Sequence, residues 1–143
     1  MDNKTQMPYV LIADDDPDDL LILSDGLREA YREVAIETVA DGDEVLAWLA
    51  SHPGQLPLLI ILDYKMPRLS GADVLRQMSG NDRYKGIPVV VWTTSGRENE
   101  MQECLQLGAE RLFVKPTTDK ELMRIVVLIG DVLNAGTDRE LDF

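Results

Sequence analysis

Asp63 ends LLIIL, an apolar run over Leu58–Leu62, and a Met66-Pro67 turn closing at Gly71 follows it. Asp14 and Asp15 end a second such run, YVLIA, over Tyr9–Ala13. Thr93 and Thr94 end a third, IPVVVW, over Ile87–Trp92, and Lys115 ends a fourth, RLFV, over Arg111–Val114. If the first two ends meet, their carboxylates repel. Two charges about 5 Å apart cost roughly 3 kcal/mol at an effective dielectric near 20. Such a cluster persists with a cation or with raised pKa values. Oxygen donors, few of them protein carboxylates, suit Mg²⁺. The Thr93 hydroxyl, the Thr94 backbone N–H and the Lys115 ammonium complement the oxygens of a phosphoryl group. The chemistry these residues assemble is phosphoryl transfer onto a carboxylate. Asp63 would be the nucleophile, an aspartyl-phosphate the product and Mg²⁺ the charge neutraliser.

Those groups meet only if the runs are strands of one sheet. Short, wholly apolar runs read as strands buried on both faces, as in a parallel sheet. Asp16-Pro17 predicts a helix start, with Asp16 as N-cap and Pro17 at the first helical position. The helix then runs to about Tyr31, with Leu20, Leu23, Leu27 and Tyr31 on one stripe. Val34–Val39 alternates and reads as a more exposed strand, and Asp41-Gly42 turns the chain into a short helix over Asp43–Ser51. Further helices are predicted over Ala72–Ser79, Arg97–Leu107 (stopped by Gly108) and about Thr118–Asn134. Five strands alternating with five helices predict an α/β fold with a parallel sheet covered on both sides. Open sheets of this kind place their chemistry at the carboxyl ends of the strands.

The chain has 143 residues, 45% of them hydrophobic and 28% charged, which suits one domain with a sizeable core. Residues 1–8 read as an N-terminal extension, polar and frayed through Met7. Residues 9–135 form the domain, and 136–143 a short acidic tail. A net charge of −12 argues against nucleic acid or an anionic membrane as partner, since both need clustered Lys and Arg. One Cys precludes an internal disulfide, and no stretch resembles a signal peptide or a membrane span. The expected location is cytoplasmic.

Each residue also has a plainer reading. Asp16, Asp18 and Asp19 are assigned to helix capping. Asp14, Asp16 and Asp18 alternate as in an EF-hand, but the sixth loop position is Asp19, not Gly, and the twelfth is Asp25 in an apolar helix; that reading is rejected. His52 reads as a partnerless surface residue at a helix end. Cys104 reads as a half-buried helix residue with no base to activate it. Trp48 and Trp92 read as core.

Taken together, LIADDDP, ILDYKMPRLSG, VVVWTTS and GAERLFVKP resemble the receiver domain of two-component response regulators, over about Tyr9–Asn134. The resemblance implies a flavodoxin-like (βα)5 three-layer sandwich with a five-stranded parallel sheet of order 2-1-3-4-5. It implies Asp63 as phosphoacceptor, Asp15 as a direct Mg²⁺ ligand, Asp14 acting largely through water, and the Lys65 carbonyl as a further ligand. Thr93 and Lys115 would contact the phosphoryl oxygens, and Lys115-Pro116 would be cis. The implied donor is a sensor histidine kinase or phosphotransfer protein, with the receiver catalysing its own phosphorylation and dephosphorylation. A downstream protein partner is implied, and a homodimer is allowed. The family's aromatic three residues before the lysine is Leu112 here, and Phe113 should face the other way. The switch positions are therefore Thr93 and Leu112, with most of the response expected in Thr93 and Thr94–Leu107. Gly136–Phe143 is too short for an output domain, so a stand-alone receiver is expected, similar to those paired with sensor kinases, some of them phytochrome-like photoreceptors. A haloacid-dehalogenase-type phosphatase wants a second Asp where Lys65 stands. A degenerate receiver, acting as an interaction module independent of phosphorylation, usually lacks an acid or the lysine, and here all are present.

Overall fold

The computed structural model describes residues 7–94 and 96–141, with side chains through residue 135. Strands and helices alternate: β1 (Tyr9–Ala13), α1 (Pro17–Ala30), β2 (Ala35–Val39), α2 (Gly42–Ser51), β3 (Leu59–Asp63), α3 (Gly71–Ser79), β4 (Val89–Thr93), α4 (Glu98–Gln106), β5 (Arg111–Val114) and α5 (Asp119–Leu141). The sheet order is β2-β1-β3-β4-β5, and every neighbouring pair is parallel. This is the expected flavodoxin-like sandwich. The three central strands are buried along their whole length, which is why their sequences are apolar without alternation. On the edge strand β2 only Ile36 is buried.

Alternating side chains divide the interior into two cores. Val10, Ile12, Leu59, Ile61, Val90 and Trp92 pack with Leu23 and Leu27 of α1 and with Ile125, Val126 and Ile129 of α5. Leu11, Ile60, Leu62 and Val91 pack on the other face with Val45 and Leu49 of α2, Val74 and Met78 of α3, and Cys104 of α4. Phe113 belongs to the first core, while Leu112 packs against the second. The expected opposition of these two residues holds, as the strand period of two requires.

Local signals set most boundaries. Asp16 caps α1, its Oδ1 accepting from the N–H groups of Asp18 (2.9 Å) and Asp19 (3.3 Å), with Pro17 in the first turn. Ser70 and Asp73 form a reciprocal capping box on α3. After α4, Gly108 takes φ 108°, and the N–H groups of Gly108 and Ala109 return to Leu105 O and Cys104 O. That is a Schellman ending, which needs a residue free to enter the left-handed region. β4 starts at Val89 because Pro88 has no N–H to offer; its carbonyl still accepts from Ile60 at 3.0 Å.

Several expectations change. Arg97 is not the first residue of α4 but its N-cap, with no side-chain cap. α5 passes Asn134 and runs to Leu141 through most of the stretch expected to be a tail. Cys104 is fully buried rather than half-buried. His52 does have partners: its ring stacks on Trp48 at 4.3 Å, and its Nδ1 lies 2.9 Å from Trp48 O. No cis peptide bond occurs among the described residues, so Lys115-Pro116 is not cis; the trans form is the lower-energy default even before proline. The fraying expected at Met1–Met7 lies, apart from Met7, outside the described residues, as does Ser95.

Gly71 closes the loop after β3. Its N–H donates to Tyr64 O at 2.8 Å, and a Cβ there would sit 2.7 Å from Asp63 O. Gly71→Ala should therefore cost about 2 kcal/mol by forcing backbone apart. Gly54→Ala, where nothing lies within 4 Å, should leave the urea midpoint nearly unchanged. Equal midpoints for the two variants would contradict this account of the loop.

Candidate functional site

The parallel register brings the strand ends to one edge. Ala13 pairs with Leu62, so Asp14 and Asp63, each the next residue, fall side by side. Asp63 pairs with Trp92 and Thr93 with Val114, which carries Thr93 and Lys115 to the same edge. Asp14, Asp63 and Thr93 are buried, while Asp15 and Thr94 are exposed. One carboxyl oxygen from each of Asp14, Asp15 and Asp63 lies within 4.8 Å of the others. Three hard oxygens at this separation fit a small divalent cation. Lys65 follows in the exposed loop, its N–H 3.4 Å from Asp63 Oδ1.

Lys115 is the counter-charge. Its backbone N–H donates to Thr93 O at 2.8 Å. Its Nζ lies 2.7 Å from Asp14 Oδ2 as an ion pair. It donates to Asp63 Oδ2 at 3.2 Å and to Asp19 Oδ2 at 2.8 Å. The same ammonium sits 5.2 Å from the centre of the Trp92 ring. Burial pulls the ammonium's pKa down. The contacts with Asp14 and Asp19 and the charge of Asp63 outweigh that and hold it above the usual lysine range. At Asp63, burial pushes the carboxyl up and the Asp14 charge pushes it further. Lys115 only partly offsets both, leaving Asp63 at about 7.

The loop from Asp63 to Gly71 is tied down on both sides. Arg68 takes φ 68°, unusual for a residue with a Cβ, and its NH1 reaches Asp41 Oδ2 at 3.4 Å. Tyr64 donates to Glu103 Oε1 of α4 at 3.0 Å. Glu103 Oε2 meets Arg76 NH2 of α3 at 3.1 Å. Burial, then the bond to Glu103 and its charge, push Tyr64 up to about 12. Burial likewise pushes the Cys104 thiol up to about 11, so it stays protonated and inert, as its reading as a helix residue expects.

The structure therefore brings Asp14, Asp15, Asp63, Thr93 and Lys115 together, with Lys65 and Thr94 on the flanking loops. Leu112 lies apart, half-buried against the second core. Sequence reasoning missed Asp19, which it assigned to capping. The available signal was its place at the third residue of a helix capped by Asp16, where side chains lean back toward the helix N-terminus. It also missed the Tyr64–Glu103–Arg76 chain, for which no local signal exists.

This doubly wound sheet, with an acidic edge around one lysine, defines a signalling domain of the two-component type. The chain belongs to the response regulator receiver domain family, whose model matches residues 10–127. It is 32% identical over 119 residues to the two-component response regulator ORR5 of Oryza sativa subsp. japonica, covering 82% of this chain and 85% of the relative. Among solved structures it resembles the Mn²⁺-bound response regulator Rcp1, with TM-score 0.76 and 27% identity over 85% of this chain and 91% of that one. The phosphorylated cyanobacterial phytochrome response regulator RcpA superposes with TM-score 0.79 and 26% identity, covering 87% and 91%. CheY4 of Vibrio cholerae gives 0.72 and 28%, covering 87% and 99%. No described helix is long and apolar enough to cross a membrane.

The raised Asp63 has a sign that can be measured. Its folded pKa of about 7 exceeds the ordinary 3.8, so between these values the folded state holds the extra proton. Metal-free protein should lose stability as pH rises from about 4 to about 7 and level off above. Asp63→Asn should remove that dependence and raise the urea midpoint at pH 8. A native midpoint that climbs steadily from pH 5 to 8 would sink the assignment of this shift to Asp63.

Proposed function

We propose that this chain is a phosphoacceptor response regulator, phosphorylated on Asp63 in a two-component phosphorelay. The carrying observation is the convergence of Asp14, Asp15 and Asp63 oxygens within 4.8 Å, beside an ammonium 3.2 Å from Asp63 Oδ2. A carboxylate oxygen of Asp63 attacks the phosphorus of a phosphohistidine. The P–N bond breaks, its electron pair stays on the imidazole, and an acyl phosphate remains. Asp14, Asp15, Asp63 and the Lys65 carbonyl would hold Mg²⁺, which supplies neutralising charge for the phosphoryl oxygens. Asp15, the exposed member, would bind directly, with Asp14 largely through water. Lys115 follows the phosphoryl oxygens from its present place, and the Thr93 hydroxyl and Thr94 N–H meet the others. The donor would be a sensor histidine kinase or phosphotransfer protein; the likeness to RcpA supports a phytochrome-type sensor. The lone buried Cys104 suits a reducing compartment, and the proposed setting is the cytoplasm.

Output would pass by protein contact and not through DNA, which a net charge of −12 repels. α4 is the element best placed to move. It buries only Cys104 and lacks a side-chain cap. Leu105 and Val114 on its side of the molecule are 45% and 50% exposed, which suits a downstream partner or a second copy.

Native protein incubated with acetyl phosphate and Mg²⁺ should gain one phosphoryl group by intact mass. Asp63→Asn should gain none and Asp15→Ala little, while Asp18→Ala should behave as native. A full-strength adduct on Asp63→Asn would overturn the reading. For the switch, amide exchange with and without beryllofluoride should show protection changing between Thr94 and Leu107 in both native protein and Leu112→Ala. Loss of that change in Leu112→Ala, with ligand still bound, would make Leu112 the switch.

A further inference from the structure

Lys115 has three carboxylate partners, and one of them has no part in the proposed transfer. Asp14 and Asp63 belong to the candidate cation set. Asp19 does not, yet its Oδ2 lies 2.8 Å from Nζ, closer than the 3.2 Å to Asp63 Oδ2. Its position is built. The Asp19 N–H is held by the Asp16 cap at 3.3 Å. The side chain leans back from the start of α1 over the strand ends. Asp19 is 28% exposed and the Lys115 side chain 8%, so a carboxylate reached by water grips an ammonium that water barely reaches.

We infer that Asp19 is a positioning residue that competes with the phosphoryl group for Lys115 and so sets how readily Asp63 holds that group. The inference rests on Asp63 being the phosphoacceptor. A phosphoryl group there carries about −1.5 to −2 charge and draws the ammonium toward itself. The move is short, because the Lys115 backbone is anchored on Thr93 O at 2.8 Å and Nζ is already near Asp63. Asp14 and Asp63 gain a cation in exchange. Asp19 gains none, and its charge stays behind beside a second anion. The contact thus favours the unmodified state, and removing its charge should favour the modified one.

The test is a beryllofluoride titration in excess Mg²⁺, read by the emission of Trp92, whose ring centre lies 5.2 Å from Nζ. Asp19→Asn keeps the side chain's shape and should bind beryllofluoride about tenfold more tightly than native, the loss of one partly buried ion pair. Asp19→Glu, which keeps the charge on a longer arm, should fall between the two. Asp18→Asn removes an equal charge from the same helical turn and should stay within about twofold of native. Native-like or weaker binding by Asp19→Asn, or an equal gain in Asp18→Asn, overturns the inference. Native protein that takes up no beryllofluoride sinks the phosphoacceptor reading and this inference with it. Uptake at Asp63 with no response to Asp19 sinks this inference alone.

Discussion

A single ammonium holds the carboxyl edge of this sheet together. Asp14, Asp63 and Asp19 all lie within about 3.2 Å of Lys115 Nζ, and Asp15 stands in the same acidic cluster. The charges do not balance, and burial of Asp14 and Asp63 prevents water from screening them. Breaking a buried pair by removing one partner commonly costs 3–5 kcal/mol, because the other charge is left uncompensated. The raised carboxyl of Asp63 expresses the same imbalance, with protonation relieving part of the repulsion. A divalent cation or a phosphoryl group, as proposed for this edge, would enter a site already under electrostatic tension and would redistribute the partners of Lys115.

The rest of the fold decides where that redistribution can go. β1, β3 and β4 are buried throughout and sit between two packed cores, so the strand ends act as a rigid frame. α1 and α5 are fastened to one face through Leu23, Leu27, Val126 and Ile129, with Tyr31 donating to Val126 O at 2.7 Å. α4 is different. It touches the second core through Cys104, and the loop after Asp63 through the Tyr64–Glu103 hydrogen bond. Few apolar contacts and a missing side-chain cap mark α4 as weakly fastened beside the other helices of the two cores. The acidic edge and this helix are thus joined by one route along the chain, from Thr93 to the α4 N-terminus, and one through the hydrogen bond from Tyr64, the residue after Asp63, to Glu103.

The sequence by itself determined the elements and the inventory of the site. Unbroken apolar runs named the central strands, Asp16-Pro17 and Gly108 marked helix ends, and alternation of helix and strand required a parallel sheet. Asp14, Asp15, Asp63, Thr93 and Lys115 were legible because each directly ends a strand, and strand ends must lie on one side of such a sheet. What tertiary structure alone decided is which of these charges touch. Asp19 reads locally as a capping-turn acid, and its contact with Lys115 spans 96 residues of sequence. The stacking of His52 on Trp48 is a local contact between residues four apart at the end of α2, which the helical spacing carried and the reading of His52 as partnerless overlooked. Glu103 of α4 likewise meets both Tyr64 and Arg76, so that contact joins side chains on three separate segments. Backbone patterns follow from local sterics and burial, which sequence records directly. Ion-pair geometry depends on distances between segments, and those exist only once the two cores have closed.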